Sequence, residues 1–298
     1  MSTAYVLFNP LSGNHDFSDG CPDKLKAHIG ERTTELCDIR ELGDYSELFS
    51  TLDASDVIYV CGGDGTLNRF INDTEGKRGD NDIYYYPSGT GNDFYHEVGE
   101  KADGVPVRIN EYIENLPIVT VNGKSYRFLN GVGYGIDGYC CEIGDKLRAE
   151  SDKPVNYTSI AIKGLLFHYK PTNAVITVDG KEYSYQKVWL APTMNGKYYG
   201  GGMIPTPGQD RINSDRTVSL LAFHGSGKLK TLMIFPSIFK GEHIKNEKFV
   251  AIHTGHTISV RYDRPAALQI DGETILNVSE YSVTSGATAD AKTEAAQV

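Results

Sequence analysis

The segment Val57-Ile58-Tyr59-Val60-Cys61-Gly62-Gly63-Asp64-Gly65-Thr66-Leu67-Asn68 decides how the first part of the chain is read. Four apolar residues, Val57 to Val60, read as a strand buried on both faces. Three glycines around one aspartate follow at once. Glycine that dense costs order unless the backbone needs conformations or close approaches that other residues refuse. Beyond it, Leu67, Phe70 and Ile71 recur on one helical face, and Thr66 is expected to cap that helix. In such a turn successive amide N–H groups converge on an anion, and the helix end adds partial positive charge. The pattern is neither GxGxxG nor GxxxxGK[ST], and it holds no lysine. A ligand-free strand-to-helix turn fits the same residues. Why an acid, Asp64, stands in a loop suited to an anion is the question the sequence poses.

The design recurs. Tyr5-Val6-Leu7-Phe8 runs into Asn9-Pro10-Leu11-Ser12-Gly13, and Ile83-Tyr84-Tyr85-Tyr86 runs into Pro87-Ser88-Gly89-Thr90-Gly91-Asn92-Asp93. Asn92 suits a helix cap and Asp93 a helix-start acid. With a further strand over 36–40 and a short helix over 45–52, residues 1–122 are predicted to form an α/β domain with a parallel sheet. Its three turns lie where ligands gather in such sheets, beyond the carboxyl ends of the strands.

After residue 105 the texture changes. Strands are predicted over 105–109, 118–121, 174–178, 183–190, 217–223, 257–262 and 267–270, and helices near 139–150, 156–168 and 227–240. Asn122-Gly123 and Asp179-Gly180 are the strongest short hairpin signals. Residues 123–284 are expected to form a β-rich, antiparallel, sandwich-like domain, and 285–298 a small, polar, frayed tail.

The net charge of −10 argues against a nucleic-acid binder, because phosphate-backbone binding needs a basic surface. It also disfavours general adhesion to anionic lipid. One local exception is the apolar stretch 229–239 with Lys228, Lys230, Lys240, Lys245 and Lys248 around it, which fits a solvated helix face or a membrane-facing edge. The five cysteines are odd in number and lack CxxC spacing, and the first residues lack a signal-peptide pattern. Reduced thiols in a cytoplasmic protein are expected. No apolar run has membrane-spanning length.

NPLSG (9–13), CGGDGTLN (61–68), PSGTGNDF (87–94) and QIDGETI (269–275) stand in an order and spacing that resemble the diacylglycerol kinase catalytic-domain family, which includes bacterial diacylglycerol kinases and sphingosine and ceramide kinases. FLNGVGYGIDG (128–138) and residues 198–220 look like further signatures, so the resemblance runs from residue 4 to about 278. It implies an N-terminal NAD kinase/diacylglycerol kinase-like α/β domain that binds ATP, and a β-rich domain that completes the cleft. Asn9, Pro10, Ser12, Gly13, Gly62, Gly63, Asp64, Gly65, Thr66, Asn68, Gly89, Thr90, Gly91 and Asn92 would then surround the nucleotide.

An aspartate beside a triphosphate repels it unless a cation intervenes, so Asp64 is assigned to Mg²⁺, directly or through water. Asp93 is a weaker candidate for that role. The resemblance also makes Glu273 the base that takes the proton of an attacking lipid hydroxyl. It implies a structural Mg²⁺ held by Asp215 and the carbonyls of Ile212 and Thr217. Ser214 and Arg216 depart from that pattern, and a plain loop capped by Asp215 fits as well.

The expected reaction is phosphorylation of diacylglycerol or a related lipid at the membrane surface, by a peripheral protein that could form homodimers. The GGDG element also occurs in NAD kinases and phosphofructokinases. A kinase of a soluble hydroxyl substrate such as NAD therefore stays open, as does a catalytically silent nucleotide-binding regulator.

Overall fold

A computed structural model describes residues 2–10, 17, 20–89, 91–99, 104–150 and 155–286. They fall into two compact units, Met1–Glu114 and Asn115–Val298.

In the first unit the chain runs β1 (Thr3–Phe8), α1 (Asp23–Ile29), β2 (Thr33–Asp38), α2 (Tyr45–Thr51), β3 (Val57–Gly62), α3 (Asp64–Asp73), β4 (Asp82–Pro87), α4 (Asp93–Val98), β5 (Val107–Arg108) and α5 (Asn110–Ile113). The sheet order is β2-β1-β3-β4-β5, parallel except for β5. β3 is buried along its whole length, as a central parallel strand must be, and its Val-Ile-Tyr-Val-Cys run supplies apolar side chains to both faces. The edge strand β2 is mostly exposed and carries Thr33, Thr34 and Glu35 outward, a composition that discourages edge pairing. From β1 the chain departs towards β2, and from the adjacent β3 it departs in the opposite direction towards β4. β1 and β3 therefore flank the topological switch point, where open α/β sheets leave a crevice.

The second unit runs β6 (Ile118–Val121), β7 (Lys124–Arg127), β8 (Gly131–Tyr134), α6 (Ile136–Glu150), α7 (Tyr157–Lys163), a π-turn (Gly164–His168), β9 (Thr172–Val178), β10 (Lys181–Val188), β11 (Thr193–Met194), β12 (Val218–Phe223), α8 (Lys228–Ile234), two 3₁₀ turns (Phe235–Lys240 and Glu242–Lys245), β13 (Val250–Gly255), β14 (Thr257–Ile270) and β15 (Glu273–Thr284). Its strands pair antiparallel throughout. Asn122-Gly123, Asp179-Gly180 and Asp271-Gly272 all have positive φ at both residues, the backbone that two-residue hairpins require.

β14 is one strand where the sequence suggests two. Its pairing shifts between Arg261 and Ala266, around Pro265, which has no N–H to give a ladder. The first half pairs with β9 and the second with β8. Within the core the Tyr134 ring stacks on Tyr262 at 3.8 Å and meets Tyr281 edge-on.

Residues 115–122, which the sequence reading gives to the first domain, belong to the second unit. The reason is pairing: β6 joins β7 and β15. No helix among the described residues is long and apolar enough to cross a membrane.

Candidate active site

In the first unit, the turns after β3 and β4 are fastened to each other. The Gly62 carbonyl accepts the amides of Ser88 (2.9 Å) and Gly89 (3.2 Å) and the Tyr85 hydroxyl (2.9 Å). Gly89 lies so close to Gly63 that a Cβ on it would fall 2.3 Å from the Gly63 Cα, so no side chain fits there. A Cβ on Gly62 would strike the Thr66 side chain at 2.5 Å. Gly62 and Gly89 are thus required by close approach rather than by unusual φ.

Helix α3 starts one residue after Gly63, which is its N-cap, so Thr66 is not the cap. It lies inside the first turn with its side chain packed against Gly62, and Gly65 lies beside it in that turn. Asn68 is buried on the same helix, and its side chain and carbonyl both accept from Asn72.

The acid has a defined task. Asp64 Oδ2 accepts the Asp93 amide at 2.8 Å, and Oδ1 accepts the Phe94 amide at 3.0 Å. Asp64, the first residue of α3, therefore caps α4 from outside that helix. Its negative charge faces two orphan amides, where a helix end favours it. Asn92 takes a left-handed backbone (φ 50°) and donates its side-chain amide to the Gly89 carbonyl. It is the N-cap residue of α4 but makes no side-chain cap bond, because Asp64 occupies that role. Asp93 is buried at the helix start.

Ser88 was not singled out by the sequence reading. Its hydroxyl is buried and meets no hydrogen-bond partner among the described residues, a group of the kind that a ligand oxygen or a water satisfies. Asn9 and Pro10 follow β1 on the near side of the switch point, with Pro10 exposed. Ser12, Gly13 and Thr90 lie outside the described residues; Gly91 is described, and a Cβ on it would sit 3.6 Å from Asp64 Oδ2.

These features fit a phosphate chain. Glycines leave the backbone bare, a helix begins at each turn, and Asp64 is engaged with amides. The charge of the Asp64 carboxylate also suits a hydrated divalent cation.

In the second unit the two acids of Asp271-Gly272-Glu273 part company. Asp271 is buried, and its carboxylate takes the amides of Leu129, Asn130 (2.8 Å) and Gly131 (2.9 Å). Buried Arg211 donates to the Leu129 carbonyl and the Asn130 side chain, and Asn195 donates to the same Leu129 carbonyl. Asp271 therefore pins the loop that enters β8. Glu273, the first residue of β15, is exposed, and no side chain among the described residues hydrogen-bonds or ion-pairs its carboxylate. It lies near α6: burial pushes the Cys141 thiol up to about 12, and Glu273 adds a small part of that rise.

Residues 3–119 match the family model of the diacylglycerol kinase catalytic domain, and residues 130–287 match that of the YegS C-terminal NAD kinase beta sandwich-like domain. The chain belongs to the diacylglycerol kinase catalytic-domain family. A diacylglycerol kinase of Mycobacterium tuberculosis is 28% identical over 251 residues, covering 80% of this chain and 79% of that one. A diacylglycerol kinase of Bacillus subtilis is 24% identical over 286 residues, covering 92% and 90%. The fold matches a crystal structure of a putative diacylglycerol kinase from Bacillus anthracis with a TM-score of 0.65 and 20% identity, covering 95% of this chain and 91% of that one.

Against the family pattern, the loop at Asp215 does not suit a structural cation. The Thr217 carbonyl already accepts from Gln209 Nε2 and Asn213 Nδ2, both at 3.0 Å, which uses both of its lone pairs. Arg216 holds the positive φ (54°) at the position where the pattern has glycine. Ile212 is exposed, and Asp215 Oδ1 is 3.4 Å from the Ser214 hydroxyl. Among the described residues no cluster of three or more His, Cys, Asp or Glu could hold a metal.

Asp137, in the family's FLNGVGYGIDG signature, is a titrating group that the sequence reading passed over. It is the second residue of α6 and is buried; Tyr199 donates to its Oδ2 at 3.1 Å. Gly133 makes room for it, since a Cβ there would fall 1.7 Å from Oδ2. An acid one helical step beyond a buried strand and a glycine was the available signal. Burial raises its carboxyl from an ordinary 3.8 to about 6, against the pull of the Gly138 amide and the Tyr199 hydroxyl.

The folded chain therefore holds this proton more tightly than the unfolded chain. Its contribution is present below about pH 4 and is lost as pH rises through about 6. A rise of this size corresponds to about 3 kcal/mol. Asp137→Asn is expected to gain up to about that much stability above pH 7 and nothing near pH 4. Urea unfolding at the two pH values checks it; equal effects at both would reject the buried ionised carboxylate.

Proposed function

We propose that this kinase-family protein is an ATP- and Mg²⁺-dependent lipid kinase that transfers the γ-phosphate to a hydroxyl of diacylglycerol or a related lipid. The observation that carries the reading is the pair of fastened turns after β3 and β4, beside the switch point, with bare glycine backbone and two helix starts around an acid held by amides. The kinship with proteins named diacylglycerol kinase supports the acceptor class.

In this reading the amides at the start of α3, from Gly63 on, receive phosphate oxygens, and Asn9 and Asn92 border the nucleotide. Gly62 and Gly89 let Thr66 and Gly63 approach closely, which holds the two turns in one shape. Asp64 holds the α4 start in place and lends its negative charge to the cation's hydration shell. When bound, Mg²⁺ would supply positive charge against the phosphate oxygens, with Asp64 as the carboxylate that would hold it directly or through water. Glu273 accepts the acceptor's hydroxyl proton while the new O–P bond forms and ADP leaves with the electrons of the broken bond. Asp271 keeps the adjoining loop in shape and touches no reacting atom.

Purified protein given Mg–ATP and a panel of lipids in mixed micelles, with NAD in parallel, tests this. Phosphate transfer to diacylglycerol or a sphingoid lipid is expected. Transfer to NAD and to no lipid would replace the reading with a soluble-substrate kinase, and binding of ATP with no transfer at all would leave a regulatory module.

A further inference from the structure

Among the large apolar residues left exposed, Phe167 (72%), Leu229 (74%) and Met233 (74%) stand apart from the rest, none of which exceeds 50%. All three lie on two segments packed against each other, the π-turn after α7 and helix α8. Lys228 joins them by donating to the Leu166 carbonyl at 2.9 Å. Leu229 and Met233 are four residues apart and so share one face of α8. Ile162 on α7 and Phe239 just beyond α8 are exposed as well. Surfaces of this kind need an apolar partner.

The charge around them identifies the partner. Residues 155–170 and 224–240 carry Lys163, Lys170, Lys228, Lys230 and Lys240 and no Asp or Glu, in a chain whose net charge is −10. Of the acids on neighbouring α6, Asp137 is buried and Glu142 and Asp145 are paired within the helix to Lys146 and Arg148, with Glu150 at its far end. Protruding apolar side chains within a lysine-rich, acid-free border suit the headgroup region of an anionic bilayer: the chains enter the acyl boundary while the lysines face lipid phosphates.

We propose that α7, the π-turn and α8 form the surface by which this protein docks on anionic membranes. The purpose given to that surface rests on the lipid-kinase reading; its test does not. The chain need only lie on the bilayer, since no described helix could span it.

Co-sedimentation of the full chain with vesicles, without nucleotide, tests the proposal. The vesicles are phosphatidylcholine alone, and phosphatidylcholine mixed with about one third phosphatidylglycerol, the anionic surface that juxtaposed lysines recognise. Binding to the anionic vesicles is expected, weakening as salt rises. The triple variant Phe167→Ser, Leu229→Ser, Met233→Ser should bind at least about tenfold more weakly. The pair Lys163→Glu, Lys230→Glu should lose about as much on anionic vesicles and little on neutral ones. All five positions are exposed, so thermal unfolding and phosphate transfer to a short-chain acceptor dissolved below its micelle threshold should match the parent.

Unchanged vesicle binding in both variants overturns the docking surface, whatever the micelle assay shows. A dimer in light scattering that the apolar triple variant splits overturns it too, by making a second copy the partner. Failure of lipid phosphorylation with intact vesicle binding would instead count against the proposed reaction.

Discussion

Glu273→Gln is expected to lower kcat for lipid phosphorylation by about 10²–10⁴-fold, the range that a positioned general base supplies. Folding stability should stay within about 0.5 kcal/mol of the parent, because the side chain is exposed and makes no hydrogen bond or ion pair among the described residues. Gln keeps the shape and the hydrogen-bonding reach but cannot take the proton, so KM should move little while kcat falls.

Asp271, two residues earlier, provides the contrast. Asp271→Ala removes the acceptor of three amides and leaves them to be satisfied elsewhere, so its damage belongs in an unfolding curve rather than in a rate. Steady-state kinetics and urea unfolding on the two variants separate the roles. Full activity in Glu273→Gln would remove Glu273 from the chemistry.

What was legible in the sequence follows a physical line. β3 could be read because a doubly buried parallel strand must be a continuous apolar run, and Val57 to Cys61 is one. The hairpins at Asn122-Gly123 and Asp179-Gly180 could be read because few residues accept two positive φ values in succession. β8 could not, since Gly131-Val132-Gly133-Tyr134 has neither alternation nor β-branched density; its glycines answer to Asp137 just beyond the strand and to Met194 and Gln269 from distant parts of the chain.

The same limit applies at the site. Spacing identified Gly62, Gly63 and Gly89 as backbone positions, but their contact across the two turns is a tertiary fact. The helix start was misread by local rules: Thr66 is a good cap residue, yet Gly63 caps α3 and the cap of α4 comes from Asp64, outside that helix. Asp137 follows a strand and a glycine that hint at its place, but the burial that sets its proton affinity is a tertiary fact.

Asp64→Asn should reveal two functions in one side chain. The carboxylate now accepts amides from Asp93 and Phe94 with both oxygens. Asn has one acceptor oxygen and turns an N–H₂ towards the other amide, so two donors meet where a charge-assisted bond had been. A stability loss of about 1–3 kcal/mol is expected, with the α4 start loosened first. If Asp64 also orders the hydration shell of Mg²⁺, Mg–ATP should bind about 10–100-fold more weakly, as for other groups that support a metal through its ligands.

The two effects separate in one set of titrations. Loss of a fastener alone weakens ATP equally with and without Mg²⁺, because the turn itself is disturbed. Loss of a metal partner weakens only the Mg-dependent part. A variant that is less stable but keeps its full Mg²⁺ dependence would assign Asp64 to the architecture alone. The acid in an anion loop would then be explained wholly by the helix start it holds, and the cation would need another carboxylate.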